Sequence, residues 1–251
     1  VSKNFGDSAF SVTAPTEANS VGGTFTYSSG TTSVISVSGS TLTVAGVGTS
    51  VITATFTPTN TTNYNTATTT MTVTVGKGSP TFSAWSNVSK NFGDSAFTVT
   101  APTVTGSVPG TFIYSSATTS VISVLGTTLS VVGAGSSIIT ATFTPTDTAN
   151  YVSGGTIAMT VTVNKFPVSI TASSHTVAYG AAVPSITPTY SGFVNGDTSA
   201  VVTAPTCSTT YTPTTAVGSV VASSCSGATA NNYSFNYTAG VITITQGGQT
   251  N

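Results

Sequence analysis

Two cysteines are the residues whose type and spacing most directly indicate chemistry. Cys207 and Cys225 are the only cysteines among 251 residues. Two thiols can form a disulfide or supply two ligands to a metal ion. The chain has one histidine and no Cys-x-x-Cys spacing, so a zinc ligand set would be hard to complete. We therefore predict a disulfide and no bound metal.

Ionisable side chains, the usual means of acid–base catalysis, are scarce in this sequence. Its single histidine, His175, would need a nucleophile and an orienting acid to form a hydrolytic triad, and the surrounding ASSHTVAYG supplies no acid. Asp7 and Asp94 stand in identical FGDSAF segments. Carboxylates can serve hydrolysis in pairs or bind calcium with other oxygens, but the whole chain has five. We predict no catalytic residue and no cofactor.

The two repeated aspartates have a simpler role as turn residues. An aspartate in a glycine-containing turn can accept a hydrogen bond from nearby backbone and hold the turn. We interpret Asp7 and Asp94 in this way, and a weak ion site is the alternative. Lys3 and Lys90 precede them, and an isopeptide crosslink from either lysine is a further alternative that lacks an identifiable promoting acid.

Other side chains could bind a ligand without catalysis. Exposed aromatic rings would serve a carbohydrate-binding module, and Tyr211, Tyr233 and Tyr237 are the group to test. Threonine hydroxyls in a line on one strand face can bind ice or a sugar lattice. We interpret such a row here as ordinary solvent-facing residues: Thr53, Thr55, Thr57 and Thr59. Asn-x-Ser/Thr sequons leave glycans as an alternative at four positions: Asn60, Asn87, Asn232 and Asn236.

The composition predicts an all-β protein. Charged residues are 4% and hydrophobic residues 38%, with a formal net charge of −1. Valine, threonine, tyrosine and phenylalanine suit a pleated, half-buried surface. Four lysines and no arginine cannot neutralise much of a phosphate backbone, so nucleic acid is an improbable partner. No apolar run approaches the roughly 20 residues of a membrane span.

The decapeptide VSKNFGDSAF begins at Val1 and again at Val88, and the repetition extends well beyond it. At the same offset, ITATFTPT occurs at 52–59 and 139–146, and the dipeptide Asn-Tyr follows each copy. One inserted residue then brings MTVTV of the first copy opposite MTVTV of the second. Repetition at this length indicates tandem domains rather than a solenoid of short units.

Each copy contains short β runs separated by turn signals, the spacing typical of a seven-stranded, immunoglobulin-like sandwich. Alternation along IITATFTPT predicts that Ile139, Ala141 and Phe143 face the core. For the second copy, the pattern predicts strands at 81–86, 95–101, 110–116, 121–124, 127–132, 137–145 and 157–163.

Both copies resemble the Ig-like repeats of large bacterial surface and adhesin-type proteins, on the pattern KNFGDSAF…VISV…GAGSSIITATFTPTDTANY. The third part does not align with them. Its AYGAAVPSITPTYSGFVNGD and CSGATANNYSFNYTAGVITIT are similar to the "mostly beta, glycine-rich" (MBG) modules that follow such repeats. The resemblance implies a bacterial extracellular array and supplies no catalytic residue.

These observations predict three modules arranged as a rod: an Ig-like repeat at 1–76, a second at 77–164 and an MBG-like module at 165–251. Short proline-containing linkers separate them. We expect an extracellular, non-enzymatic structural segment, such as a stalk, an adhesin rod or a fibre subunit. Its expected partners are neighbouring modules or identical subunits, and a glycan is an alternative partner. A carbohydrate- or ice-binding module is the alternative function.

The two Ig-like copies differ at their start. SPTFSAWSN precedes the second copy and predicts a first strand with Phe82 and Trp85 available to the core. The first copy begins directly at VSKNFGDSAF, so we expect its sandwich to lack that edge strand. An uncovered edge is costly, and a preceding segment or a neighbouring subunit would supply the strand by β-strand addition.

Overall fold

The structure is a computed structural model that describes residues 1–248. In this part of the chain the protein is all-β, with 21 strands and two 3-10 turns, Thr105–Ser107 and Ser199–Val201. The chain divides into two compact units. Unit 1 comprises 1–84, 101–113 and 141–157, and unit 2 comprises the remaining described residues.

The first copy forms seven strands in two sheets, ordered β1-β7-β6-β3 and β2-β5-β4. Its core lies between the sheets, where Ile35 and Leu42 of one meet Ile52, Val73 and Val75 of the other. The strands are β1 (Ser2–Asn4), β2 (Phe10–Ser11), β3 (Gly23–Ser29), β4 (Ile35–Ser38), β5 (Thr41–Val44), β6 (Gly48–Pro58) and β7 (Ala67–Gly76).

The second copy repeats this arrangement, with sheets ordered β10-β13-β14-β8 and β11-β12-β9. Ile139, Ala141 and Phe143 are 0%, 0% and 1% exposed, so the predicted inward face of β13 is confirmed. The strands are β8 (Val88–Asn91), β9 (Phe97–Thr98), β10 (Gly110–Ser116), β11 (Ile122–Leu125), β12 (Thr128–Val131), β13 (Gly135–Pro145) and β14 (Gly155–Asn164).

The third set of strands also numbers seven, in sheets ordered β17-β15-β20 and β16-β21-β19-β18. Its first strand pairs on both sides, antiparallel with β17 and parallel with β20. The strands are β15 (Phe166–Ala172), β16 (His175–Ala178), β17 (Pro188–Ser191), β18 (Thr206–Thr209), β19 (Val220–Ser226), β20 (Tyr233–Thr238) and β21 (Gly240–Thr245).

The predicted strand at 81–86 is wrong. The segment makes one isolated bridge, between Phe82 and Val104. Phe82 contacts Phe112, and Trp85 contacts Tyr114 two residues further along β10. Both rings therefore lie on one face of β10. Residues three apart point to opposite faces of a strand, so the segment can deliver both rings to one side only by leaving the ladder.

The expectation that the first copy lacks its first strand is also wrong. Strand β1 pairs in parallel with β7, from Ser2 opposite Thr74 to Asn4 opposite Gly76. Strand β8 makes the same pairing with β14 in the second copy. The decapeptide itself supplies this edge strand in both copies, because its Ser-Lys-Asn run reaches the last strand. The segment 79–87 therefore has a different role.

Cys207 and Cys225 form a disulfide. They lie directly opposite each other on the antiparallel strands β18 and β19. Cys225 is buried beside Ile170 and Ala172 of the facing sheet. The bond therefore joins two adjacent strands at the point where they cover the core of the third set.

Reducing this disulfide, or replacing both cysteines by serine, should lower the free energy of unfolding of the third set by about 3 kcal/mol through the loop it closes. Denaturant unfolding of the full chain, followed with and without reductant, measures the change. The first two copies contain no cysteine and act as an internal control, because their transition should not move. Two free thiols in the unreduced protein would contradict the assignment.

Candidate functional site

A tight turn follows the first strand of each copy, and we call it the aromatic turn. In the first copy Asp7 accepts a hydrogen bond at Oδ2 from the Asn4 amide (2.9 Å), and its own amide donates to the Asn4 carbonyl (3.0 Å). Asp94 and Asn91 make the same pair of bonds at 2.9 and 3.0 Å. Glycine stands between them at φ 94° in both turns, a left-handed conformation that favours glycine.

The aromatic turn presents a ring beside the last strand of its own sandwich. The Phe5 amide donates to the Gly76 carbonyl (2.9 Å), and the Phe92 amide donates to the Asn164 carbonyl (2.9 Å). A third example stands at 178–181, although its sequence is Ala-Tyr-Gly-Ala. There the Tyr179 amide donates to Thr245 and the Ala181 amide to Ala178, and Tyr179 is 51% exposed.

The loop at 147–151 presents the dipeptide Asn150-Tyr151, and we call it the junction loop. The Asp147 carboxylate accepts hydrogen bonds from the Asn150 side chain (2.8 Å), the Asn150 amide (3.1 Å) and the Ala149 amide (3.2 Å). These bonds, that of the Asn150 side chain first, lower the pKa of Asp147 below its ordinary value. An ionised aspartate thus holds the loop in shape.

The junction loop docks on the first aromatic turn, and all these contacts lie within unit 1. The Tyr151 ring meets the Phe5 ring edge to face, with centroids 5.1 Å apart. Asn150 accepts at Oδ1 from the Val47 amide (3.0 Å), and its carbonyl accepts from the Gly78 amide (2.9 Å). Lys77 Nζ donates to the Thr148 carbonyl (2.6 Å).

Unit 2 contains a second junction built from the same contacts, with 230–233 as its junction loop. The Tyr233 ring meets the Phe92 ring edge to face at 5.4 Å. Asn232 accepts at Oδ1 from the Ala134 amide (2.9 Å), and its carbonyl accepts from the Phe166 amide (2.9 Å). Lys165 Nζ donates to the Ala230 carbonyl (2.7 Å). The contacts recur although the third part of the chain does not align with the first two.

The second junction has an additional acceptor for its tyrosine. Tyr233 is 2% exposed, and its hydroxyl donates to Asp197 Oδ2 (2.7 Å). The hydroxyl also lies 3.1 Å from the Val194 carbonyl, and Phe193 packs edge to face on the ring at 5.1 Å. Burial, and then the hydrogen bond to Asp197, raise the pKa of Tyr233 above its ordinary value.

The three tyrosines that the sequence suggested as a ligand-facing group do not form an exposed cluster. Tyr211 is 2% exposed and donates to the Ala181 carbonyl (2.9 Å), and Tyr233 lies in the second junction. Tyr237 is 41% exposed. Buried tyrosines need a partner for the hydroxyl, and this requirement, which the sequence pattern does not reveal, places two of the three inside.

The other candidates have local partners. His175 Nε2 lies 2.9 Å from the hydroxyl of Ser173. Within residues 1–248 no group of three or more His, Cys, Asp or Glu side chains is placed to hold a metal ion. No helix in that range has the length and apolarity to cross a membrane. Three sequon asparagines accept backbone hydrogen bonds at Oδ1, namely Asn60, Asn87 and Asn232.

The threonine row of β6 is part of a wider hydroxyl face. In the sheet of the first copy, Thr53 lies between Ser28 and Thr70 of the two neighbouring strands. Thr55 lies between Thr26 and Thr68 in the same way. Three adjacent strands therefore present hydroxyl side chains in register.

Comparison with known proteins gives a family match in the third part of the chain. Residues 168–243 match the family model of the MBG domain (YGX type). No curated protein matches the chain. Among solved structures the chain is similar to Drosophila N-cadherin EC1-4 (8% identity, TM-score 0.33, 89% of this chain and 67% of that one). It is likewise similar to mouse cadherin-23 EC22-24 (11%, 0.30, 98% and 94%) and Sidekick-1 immunoglobulin domains 1-4 (10%, 0.34, 98% and 73%).

The raised pKa of Tyr233 predicts an alkaline weakening of the second junction. A raised folded-state pKa stabilises the protein fully below the ordinary tyrosine value, about 10, and this contribution is lost as the pH rises through the folded-state value. The free energy of unfolding should fall more steeply above about pH 10 in the wild type than in Tyr233→Phe. Tyr64→Phe, at a 50% exposed tyrosine, should keep the wild-type slope. Equal slopes in all three proteins would contradict the prediction.

Proposed function

We propose that this chain is a non-enzymatic structural segment of a bacterial extracellular protein, of the stalk, adhesin or fibre type. Its three modules would comprise 1–76, 77–164 and 165–251. The observation that carries the proposal is the pair of matching junctions. Each joins an aromatic turn to a junction loop through an edge-to-face ring pair, an asparagine side chain, a backbone hydrogen bond and a lysine.

The junction contacts suit a structural role. An aromatic pair contributes about 0.5–1.5 kcal/mol beyond its buried area, and a typical hydrogen bond about 1 kcal/mol. Short linkers hold the partners together, so even modest contacts are occupied because the effective concentration is high. A repeated junction of this kind would fix each module against its neighbour.

The chemistry of the chain supports an extracellular setting. A disulfide persists in oxidising compartments, and Cys207 and Cys225 are bonded. The match of 168–243 to the MBG domain also fits an extracellular structural or adhesion module. With four lysines and no arginine, the chain offers trypsin-like proteases few cleavage sites.

Substitutions in the first junction loop test the proposed role. Asn150→Ala with Tyr151→Ala removes the ring pair and the side-chain bond, so the modules it joins should tumble more independently. Backbone 15N relaxation should then give the first copy a shorter rotational correlation time than in the wild type. The matched control is Asn63→Ala with Tyr64→Ala, at the equivalent positions of the first copy. An unchanged correlation time in the junction variant would contradict the proposal.

The hydroxyl face of the first copy favours a second candidate function, binding to an ordered lattice such as ice or a polysaccharide. The registered residues of three strands carry it. If this is the function, the protein should partition into slowly growing ice or onto an insoluble glycan, and Thr55→Lys at the centre of the face should abolish binding. Thr142→Lys at the equivalent position of the second copy is the control. Absence of binding by the wild type excludes this candidate.

A further inference from the structure

The segment 79–87 covers one face of the second copy. Phe82 packs on Phe112 and Phe143, with 5.8 Å between centroids in each pair. Trp85 packs on Tyr114 at 5.8 Å. Beneath this cover the strand residues are sealed, and Phe143 is 1% exposed.

The segment is also held by hydrogen bonds to the chain that follows β9. The Ser83 amide donates to the Thr103 carbonyl (3.1 Å), and the Thr105 amide donates to the Thr81 carbonyl (2.8 Å). Trp85 Nε1 donates to the Thr100 carbonyl (3.0 Å). These bonds leave the segment extended, outside the regular ladder.

The first copy has an open groove at the equivalent positions. A cavity of about 410 Å³ is lined by Pro15, Thr16, Glu17, Phe25, Phe56 and Tyr64, among others. A second cavity, of about 230 Å³, has Thr13, Tyr27 and Met71 in its lining. We call the two cavities together the first-copy groove.

The lining of the groove corresponds to the residues that segment 79–87 touches. At the offset of Val88 from Val1, Phe25, Tyr27 and Phe56 correspond to Phe112, Tyr114 and Phe143, which contact Phe82 and Trp85. Thr13 and Thr16 correspond to Thr100 and Thr103, whose carbonyls accept the hydrogen bonds.

The absence of a cover shows in the exposure of the sheet beneath. Phe56 is 8% exposed where Phe143 is 1%, and Ala54 is 6% exposed where Ala141 is 0%. Met71 is half-buried, whereas its counterpart Met159 is buried. The groove therefore retains apolar surface that an occupant could remove from water.

One feature of the groove differs from its counterpart. Glu17 stands where the second copy has Val104. Its carboxylate already accepts hydrogen bonds from the Asn19 amide (3.0 Å) and the Val21 amide (2.7 Å). The charge is thus engaged by its own loop and leaves the apolar floor of the groove accessible.

We propose that the first-copy groove is a docking site for an extended, uncharged peptide segment with aromatic residues three positions apart, of the type of residues 79–87 and supplied by a neighbouring Ig-like repeat. A second copy of this chain is a poorer source. Its own segment 79–87 would have to leave Phe112 and Phe143, so each new contact would cost an equal one.

A synthetic peptide with the sequence of residues 79–87, SPTFSAWSN, tests the proposal in solution. Titrated into the 15N-labelled full chain, it should shift amide resonances of 12–27 and 54–71 and leave those of 99–114 unmoved. A control peptide with alanine for both aromatic residues should bind at least about tenfold more weakly, since each ring buries about 150–250 Å². Shifts centred elsewhere, or equal binding of both peptides, would overturn the proposal.

A tethered form removes the dependence on intermolecular affinity. SPTFSAWSN placed directly before Val1 should raise the melting temperature of the first copy, while the same extension with both aromatic residues as alanine should not. The added tryptophan should also emit at shorter wavelength than the free peptide. No rise in melting temperature and a water-exposed emission would overturn the proposal. If untethered protein instead shows concentration-dependent shifts in 12–27 together with loss of the native Trp85 environment, exchange between copies replaces it.

Neither experiment depends on the two junctions. Loss of peptide binding would leave the proposed structural role intact, and failure of the junction test would leave the groove intact.

Discussion

Parallel pairing of a short edge strand with the last strand of its sandwich is the constraint on which this structure depends. Strand β1 runs parallel to β7, β8 to β14 and β16 to β21. Parallel partners end at the same edge of a sheet. The turn that leaves the short strand therefore lies beside the point where the chain leaves the last strand. Because of this topology, the aromatic turn stands next to the exit of the chain, and the residues beyond the exit pass its ring.

The scarcity of charge determines which contacts are available at that place. With 4% charged residues, the junctions depend on rings, amides and carbonyls, and each uses a single lysine that donates to a backbone carbonyl. Contacts between neutral groups are little affected by ionic screening. The ionised Asp147 acts inside its own loop. Such a junction can keep its strength across the salt conditions that an extracellular protein meets.

Much of the fold could be predicted from the sequence, because alternation and glycine spacing report directly on strands. The long strand β13 and its inward residues follow from period-two alternation, and the disulfide follows from two isolated cysteines. The strand predicted at 81–86 is wrong because aromatic residues suit strands in general, whereas the spacing of three between Phe82 and Trp85 conflicts with the strand period.

The junctions could not be predicted in the same way. The dipeptide Asn-Tyr is visible in the repeats, but its role depends on which backbone amides come within reach of Asn150. Asn232 and Tyr233 belong to a module that does not align with the others, so their equivalence to Asn150 and Tyr151 is one of position in the fold. Long-range contacts of this kind leave only a dipeptide as their trace in the sequence.

The aromatic turn and the junction loop are different surfaces, and this difference gives the interface a direction. A heterologous contact, unlike a two-fold one, does not use up its own components: every module that docks through its loop brings a new turn. Tyr179, in the third aromatic turn, and Tyr64, in the loop equivalent to the junction loop, are both about half exposed (51% and 50%). An interface of this type carries no instruction to stop. The number of units in a row is thus a genetic quantity, determined by how many times the module has been duplicated, while the chemistry of the contact stays the same.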